Sequence, residues 1–235
     1  MIYLTGDTHS YVERLSFKNF PEGKDLTPND IVIILGDFGL IWENTMSSSE
    51  KYWLNWLSEK PWLTLFVDGN HENFDRIDKL EEVEMFSGKI GRVNNTVFHL
   101  KRGEVYNIDG YKFFVFGGGD SIDKVWRVPG ISWWDRELPN YAEYKNGLFN
   151  LDKVSFTVDY ILTHDCPASI YEYLKKEYYI EKTPNYDLPK YLEKIKDSVQ
   201  FKHWYFGHFH YNDAIDDSFS CLFDCVIKLG QRPKG

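Results

Sequence analysis

The sequence has few cysteines, no excess of positive charge and no long apolar run, and each absence removes a class of protein. Only three cysteines, Cys166, Cys221 and Cys225, occur in 235 residues. They are odd in number and in neither a zinc-ribbon nor a thioredoxin spacing, which argues against a disulfide framework. No opening stretch resembles a secretory signal, so the expected setting is a reducing cytoplasm. Acidic residues outnumber basic ones, 36 to 27, for a formal charge of −9. The overall field therefore repels polyanions, and long nucleic acid is not the expected partner. The longest apolar runs, such as Ile31–Leu35, fall far short of the ~20 residues that a membrane helix needs. With no internal repeat and no low-complexity linker, residues 1–235 are expected to form a single domain.

What the sequence does contain is a set of short β-rich runs, each ending in a cluster of Gly, Asp, Asn and His. Met1–Thr5 leads into Gly6-Asp7-Thr8-His9, Ile31–Leu35 into Gly36-Asp37, and Leu63–Val67 into Asp68-Gly69-Asn70-His71. Val158–Leu162 leads into Thr163-His164-Asp165, and His203–Phe206 into Gly207-His208-Phe209-His210. Continuous apolar runs bounded by turn residues read as strands buried on both faces. Ligands of such sheets gather at the carboxyl ends of the strands. Helical spacing of apolar residues predicts helices over Ser47–Lys60, Asn73–Met85, Pro167–Lys182 and Leu188–Val199. Asp109-Gly110 predicts a hairpin between strands near Tyr106–Phe116, and a strand near Cys221–Lys228 is assigned with it to a second, mixed sheet. Asp120–Asn150, rich in aromatics, Pro and Gly, reads as a long functional loop.

The strand ends supply carboxylates, imidazoles and one amide: Asp7, His9, Asp37, Asn70, His71, His164, His208 and His210. Such donors suit borderline-hard divalent ions. In extended chain, residues i and i+2 point the same way, so Asp7 with His9 and His208 with His210 can aim at one place or at two adjacent ones.

In this order the residues resemble the signature of the calcineurin-like metallophosphoesterase superfamily: Asp7-x-His9, Gly36-Asp37, Gly69-Asn70-His71-Glu72, a lone His164 and Gly207-His208-x-His210. One short element alone is weak, but five in order at strand ends are specific. The resemblance implies an α/β fold, a four-layer α/β/β/α sandwich of two mixed sheets. It implies one metal on Asp7, His9, Asp37 and His210 and a second on Asp37, Asn70, His164 and His208, with Asp37 bridging. Two ions ~3.5–4 Å apart need such a shared anion and a bridging hydroxide, which would be the nucleophile. With only two carboxylates the pocket would stay positive, and an anionic phosphate would neutralise it. His71, by resemblance, stabilises the transition state or protonates the leaving oxygen. Glu72, Asp68 and Glu43 all remain open as the acid that orients it.

The family's protein phosphatases carry Asp-Arg-Gly shortly after Gly-Asp. Here the run is Gly36-Asp37-Phe38-Gly39-Leu40, without that arginine. Arg127 and Lys124 are the candidates to grip substrate instead, set evenly against a solvated surface loop. Trp133 and Trp134 read as loop anchors rather than base-stacking groups, His99 and His203 as structural, Gly117-Gly118-Gly119 as tight packing, Cys166 as buried packing, and Lys228–Lys234 as a frayed tail. The expected activity is two-metal hydrolysis of phosphomonoesters or phosphodiesters, with nucleotide phosphodiesterase or nuclease as the alternative. A non-catalytic metal-containing binding module is the reading from a different class. Manganese is the expected ion, with iron, zinc, nickel or magnesium as alternatives, and a small phosphate ester such as a nucleotide is the expected partner.

Overall fold

A computed structural model describes residues 1–180 and 186–234. The β-branched run Ile31–Leu35 (β2) is buried along its whole length, flanked by Ile2–Thr5 (β1) and Leu63–Val67 (β3) in parallel register. That sheet extends beyond β3 through Glu81–Met85 (β4), Gly88–Arg92 (β5) and Val97–Leu100 (β6), and beyond β1 through the antiparallel Val226–Lys228 (β13). Its order is β13-β1-β2-β3-β6-β5-β4.

The second sheet, of order β11-β12-β10-β9-β8-β7, consists of Glu104–Ile108 (β7), Tyr111–Phe116 (β8), Tyr160–Thr163 (β9), His203–Phe206 (β10), Asp213–Ala214 (β11) and Phe219–Cys221 (β12). Asp109 and Gly110 both take positive φ in the β7–β8 turn, the backbone that a tight hairpin requires.

Helices α1 (Ser48–Ser58) and α2 (Phe74–Ile77) accompany the first sheet; α3 (Tyr141–Lys153), α4 (Ala168–Glu177) and α5 (Leu188–Ser198) accompany the second. Three apolar layers separate the four structural ones. Leu4, Ile33, Leu65, Phe113, Leu162 and Tyr205 interdigitate between the sheets. Val32, Ile34 and Phe66 pack outward against Leu54 and Leu57 of α1, while Phe114, Ile161 and Trp204 pack against Leu151, Leu174 and Leu192. The expected α/β fold with two mixed sheets is the observed one.

Several expected elements differ. The helix expected over Asn73–Met85 stops at Ile77, and Glu81–Met85 is a strand paired antiparallel with β5. From Glu82 to Met85 the chain alternates, Val83 and Met85 packing on the inter-sheet core and Glu82 and Glu84 facing water, the period-two pattern of a half-buried strand. Asp120–Asn150 is not all loop: α3 begins within it, where Asn140 accepts from the Glu143 amide and Glu143 accepts from the Asn140 amide, a reciprocal cap that starts a helix. Cys221–Lys228 holds the last residue of β12 and the whole of β13, strands of different sheets, rather than one strand. Helix α4 ends at Glu177, ahead of the expected Lys182, with Tyr179 at positive φ; residues 181 and 182 lie outside the described residues. The basic tail is not frayed. Leu229 donates to the Ile2 carbonyl, Gln231 accepts from the Tyr205 hydroxyl, and Pro233 is buried.

Candidate metal centre

The carboxyl ends of β1, β2 and β3 in one sheet and of β9 and β10 in the other meet, and all seven proposed ligands come together there. His9, Asp37, His208 and His210 hold φ between +43° and +69°. For non-glycine residues such backbone costs on the order of 1–3 kcal/mol each and persists only where neighbours over-determine it. They do so here. Thr8 and His9 amides donate to the Asp37 carbonyl, Phe38 and Gly39 amides donate to the buried Glu72 carboxylate, and the His208 amide donates to Asp7. Gly36, at φ +94°, admits no side chain, since a Cβ would sit 2.0 Å from His164 Nδ1.

The donors divide into two groups around Asp37. Its Oδ2 lies 3.5 Å from His9 Nε2, which is 2.9 Å from His210 Nε2. Its Oδ1 lies 3.4 Å from His164 Nε2, and that nitrogen is 3.2 Å from both Asn70 Oδ1 and His208 Nδ1. His164 Nδ1 is 2.9 Å from the Leu35 carbonyl. That ring nitrogen is therefore the protonated donor, and Nε2 faces the cluster with a free lone pair, as a metal-binding imidazole requires. Asp7 groups with Asp37 and His164 rather than with His9 and His210, so the distances do not reproduce its assignment to the first ion.

The charge balance asks for cations. Asp7 and Asp37 are buried together, and burial, then the Asp37 charge, pushes the Asp7 carboxyl well above the usual range. Burial opposes ionisation of Asp37 too, yet the surrounding His164, His71, His9 and His208 bring it to about 2. The nearby Arg14 spends its guanidinium on the backbone carbonyls of Asp7 and Phe223, leaving the carboxylates without a fixed counter-charge. Two carboxylates, an amide oxygen and four imidazoles with no thiolate fit divalent ions of intermediate hardness.

His71 stands at the rim. Its ring meets His9 edge-on and stacks on Trp42 at 5.7 Å. None of the three acids left open orients it. Glu72 holds the Phe38 and Gly39 amides, Asp68 is tied to Arg102 and His99, and no contact joins Glu43 to it among the described residues. Its partner is Arg127, whose Nη2 donates to His71 Nε2 at 3.0 Å. Burial lowers the His71 pKa to about 4, consistent with a neutral ring that accepts from a guanidinium. Arg127 is fixed in turn by Asp123 at 2.7 Å and the Ser132 carbonyl. Lys124 pairs with Asp120 and lies over the Trp133 ring instead.

Trp134 is buried, donates to Asp75 and meets Trp42 edge-on, so it anchors its loop. His99 binds Asp68, His203 binds Ser220 and the Asp217 carbonyl, and burial raises the Cys166 thiol; all three are structural. A Cβ at Gly117 would fall 2.4 Å from Asp68 Oδ1, so the triple glycine serves close packing. Trp42, Arg102, Ser121 and Glu137 carry no motif and escape sequence reading. A cleft of about 280 Å³ opens beside His9 and His71, lined also by Gly39, Trp42, Glu43 and Ser49. A larger one of about 810 Å³ between the β4–β5 hairpin and α3 contains no histidine and is remote from this chemistry.

The chain belongs to the calcineurin-like phosphoesterase family, whose profile matches residues 1–212. It is similar to a lariat debranching enzyme of Drosophila pseudoobscura pseudoobscura, 25% identical over 89% of this chain and 42% of that protein. The lariat debranching enzyme of Drosophila melanogaster is 28% identical over 70% of this chain and 32% of its own length. That of Schizosaccharomyces pombe is 24% identical over 88% and 50%. The chain thus spans between a third and a half of these curated relatives.

Proposed function

We propose that this chain, as one domain, hydrolyses a phosphodiester in a small nucleotide-like substrate by means of two divalent ions. His9, Asp37 and His210 hold the first, Asp37, Asn70, His164 and His208 the second, and Asp7 adds the second carboxylate between them. The observation that carries this reading is Asp37, whose two oxygens face two separate donor groups. Ions held there would supply Lewis acidity toward the phosphoryl oxygens and a water acidified to a nucleophile near neutral pH.

The protein's own residues do the rest. Arg127 offers a guanidinium to the phosphoryl group, replacing the arginine absent after Asp37, and His71 aims it by accepting its N–H. His71 thereby stabilises the transition state, and it stands beside the cleft where a leaving oxygen would depart. That cleft approaches the lower bound of small-molecule sites, ~300 Å³, which favours a compact substrate. Relatives named for debranching lariats support a diester over a monoester, and the net charge of −9 speaks against a long polyanion. Three free thiols support a reducing compartment such as the cytoplasm. No helix among the described residues is long and apolar enough to cross a membrane.

The test is turnover of bis-p-nitrophenyl phosphate against p-nitrophenyl phosphate with manganese, then with iron, zinc, nickel or magnesium. The diester should be the faster substrate, manganese the best activator, and His71→Ala should lose roughly 10²–10⁴ in rate. Absence of turnover with every ion would leave a metal-containing binding module as the better reading.

A further inference from the structure

Behind Asn70, on the side away from the other donors, lies a buried polar chain that no motif marks. Asn70 Nδ2 donates to Ser121 Oγ at 3.1 Å, both groups being buried. The Ser121 amide donates to Glu137 Oε2 at 3.2 Å, and the Ser121 side chain lies close enough to that carboxyl to help hold down its pKa against burial. Glu137 is fully enclosed, and its Oε1 has no hydrogen-bond partner among the described residues.

Enclosing a carboxylate with an unsatisfied oxygen is costly, and no salt bridge reaches it among the described residues; only the more distant Lys124 charge favours its ionised form. The Glu137 backbone is tied independently of its carboxyl: its carbonyl accepts from the Gly119 amide and from Arg102 Nη2, and its amide donates to the Trp134 carbonyl.

An amide ligand has two ends of nearly equal size, and only the oxygen can bind a cation. Ser121 alone cannot distinguish them, because a hydroxyl donates as readily as it accepts. Burial raises the Glu137 pKa to about 7; above that pH the group is a carboxylate, which only accepts and so removes the ambiguity. It claims the Ser121 proton, so Ser121 Oγ can only accept from Asn70. The NH2 end of Asn70 is then held at Ser121 and Oδ1 is left facing His164 Nε2 at 3.2 Å. We propose that Glu137 and Ser121 are positioning residues that fix which end of the Asn70 amide faces the second metal position, and so set affinity for that ion and not the first. This rests on the two-ion reading above.

Outer partners of metal ligands are typically worth ~10–100-fold in affinity. The experiment is calorimetric titration of the metal-free protein with manganese and with zinc, with bound metal counted by elemental analysis and folding checked by circular dichroism. Wild type should take up two ions per chain. Ser121→Ala and Glu137→Gln should each weaken the second step roughly 10–100-fold and leave the first within about twofold, while Ser121→Thr, which keeps the hydroxyl, restores it. Glu137→Gln is the sharper variant. It keeps shape but can donate to Ser121, which frees the hydroxyl to donate to a flipped Asn70. Asn70→Asp covers the case where Ser121→Ala misfolds. A carboxylate has no wrong end, so in that background Glu137→Gln should no longer weaken the second step. Two ions bound with unchanged affinity in Ser121→Ala and Glu137→Gln would overturn the proposal. A wild type that binds fewer than two would instead overturn the two-ion reading.

Discussion

The floor and the rim of the metal centre are built to different standards. On the floor, Asp7, Asp37, Asn70 and His164 are all buried, and each is held by a backbone or buried side-chain group. At the rim, His9 is half-buried and His210 exposed. The loop that brings Arg127 carries Val125 and Trp126 at 83% and 87% exposure, with Ile122, Val128 and Ile131 also in water. Rigid geometry is concentrated at the positions proposed for the ions, and loose packing on the side proposed for substrate entry.

The sharpest way to break this contrast is to change one ligand of each kind. Asp37→Asn removes the oxygen charge shared by both donor groups. Metal stabilisation of the transition state is worth several kcal/mol, so the variant should lose roughly 10³-fold in kcat at about 1.4 kcal/mol per tenfold. Excess manganese should not rescue it. His210→Ala touches only the rim and should be substantially rescued by excess ion. Equal, unrescued losses in steady-state assays would erase the distinction.

The next effect is on stability. Burial opposes the Asp68 charge, but Arg102 first and His99 after it hold the carboxyl below the ordinary range. A depressed folded pKa means that its contribution is present above the unfolded value, about 3.9, and is lost as pH falls toward the folded one. Asp68→Asn strands a buried guanidinium and should cost about 3–5 kcal/mol at neutral pH. It should also flatten the acid limb of the stability curve, as read by urea unfolding between pH 7 and pH 3. A variant whose acid limb matches wild type would detach this pair from the floor's rigidity. The smallest effect belongs to the rim: Trp126→Ser should leave unfolding free energy within about 0.5 kcal/mol. A marked fall in thermal midpoint would show that the loop is packed after all.

Much of this was legible because the strands are uniformly apolar and end in polar clusters. Ile31–Leu35, Leu63–Val67 and His203–Phe206 appear with the bounds that their composition predicts, and the ligands follow them in order. The illegible parts have local reasons. Glu81–Met85 is strand only because β5 pairs with it, and three glutamates in five residues give no β signal. Its turn is made by Phe86 and Ser87 at positive φ, where glycine would ordinarily announce it. The α3 start was readable from Asn140 and Glu143 but was hidden by the aromatic and proline content around it. Arg127 reaches His71 across 56 positions of sequence, and no spacing rule covers such a distance.

The proposed ligand set is divided between the two sheets. Asp7, His9, Asp37 and Asn70 follow strands of one, His164, His208 and His210 follow strands of the other, and β13 ties the chain's last residues back to β1. Ions bound between them would act as rivets across the seam. By linkage, each would add about 2.7 kcal/mol at a free concentration a hundred times its dissociation constant. Stripping the metal should therefore loosen the join between the halves before it unravels either half.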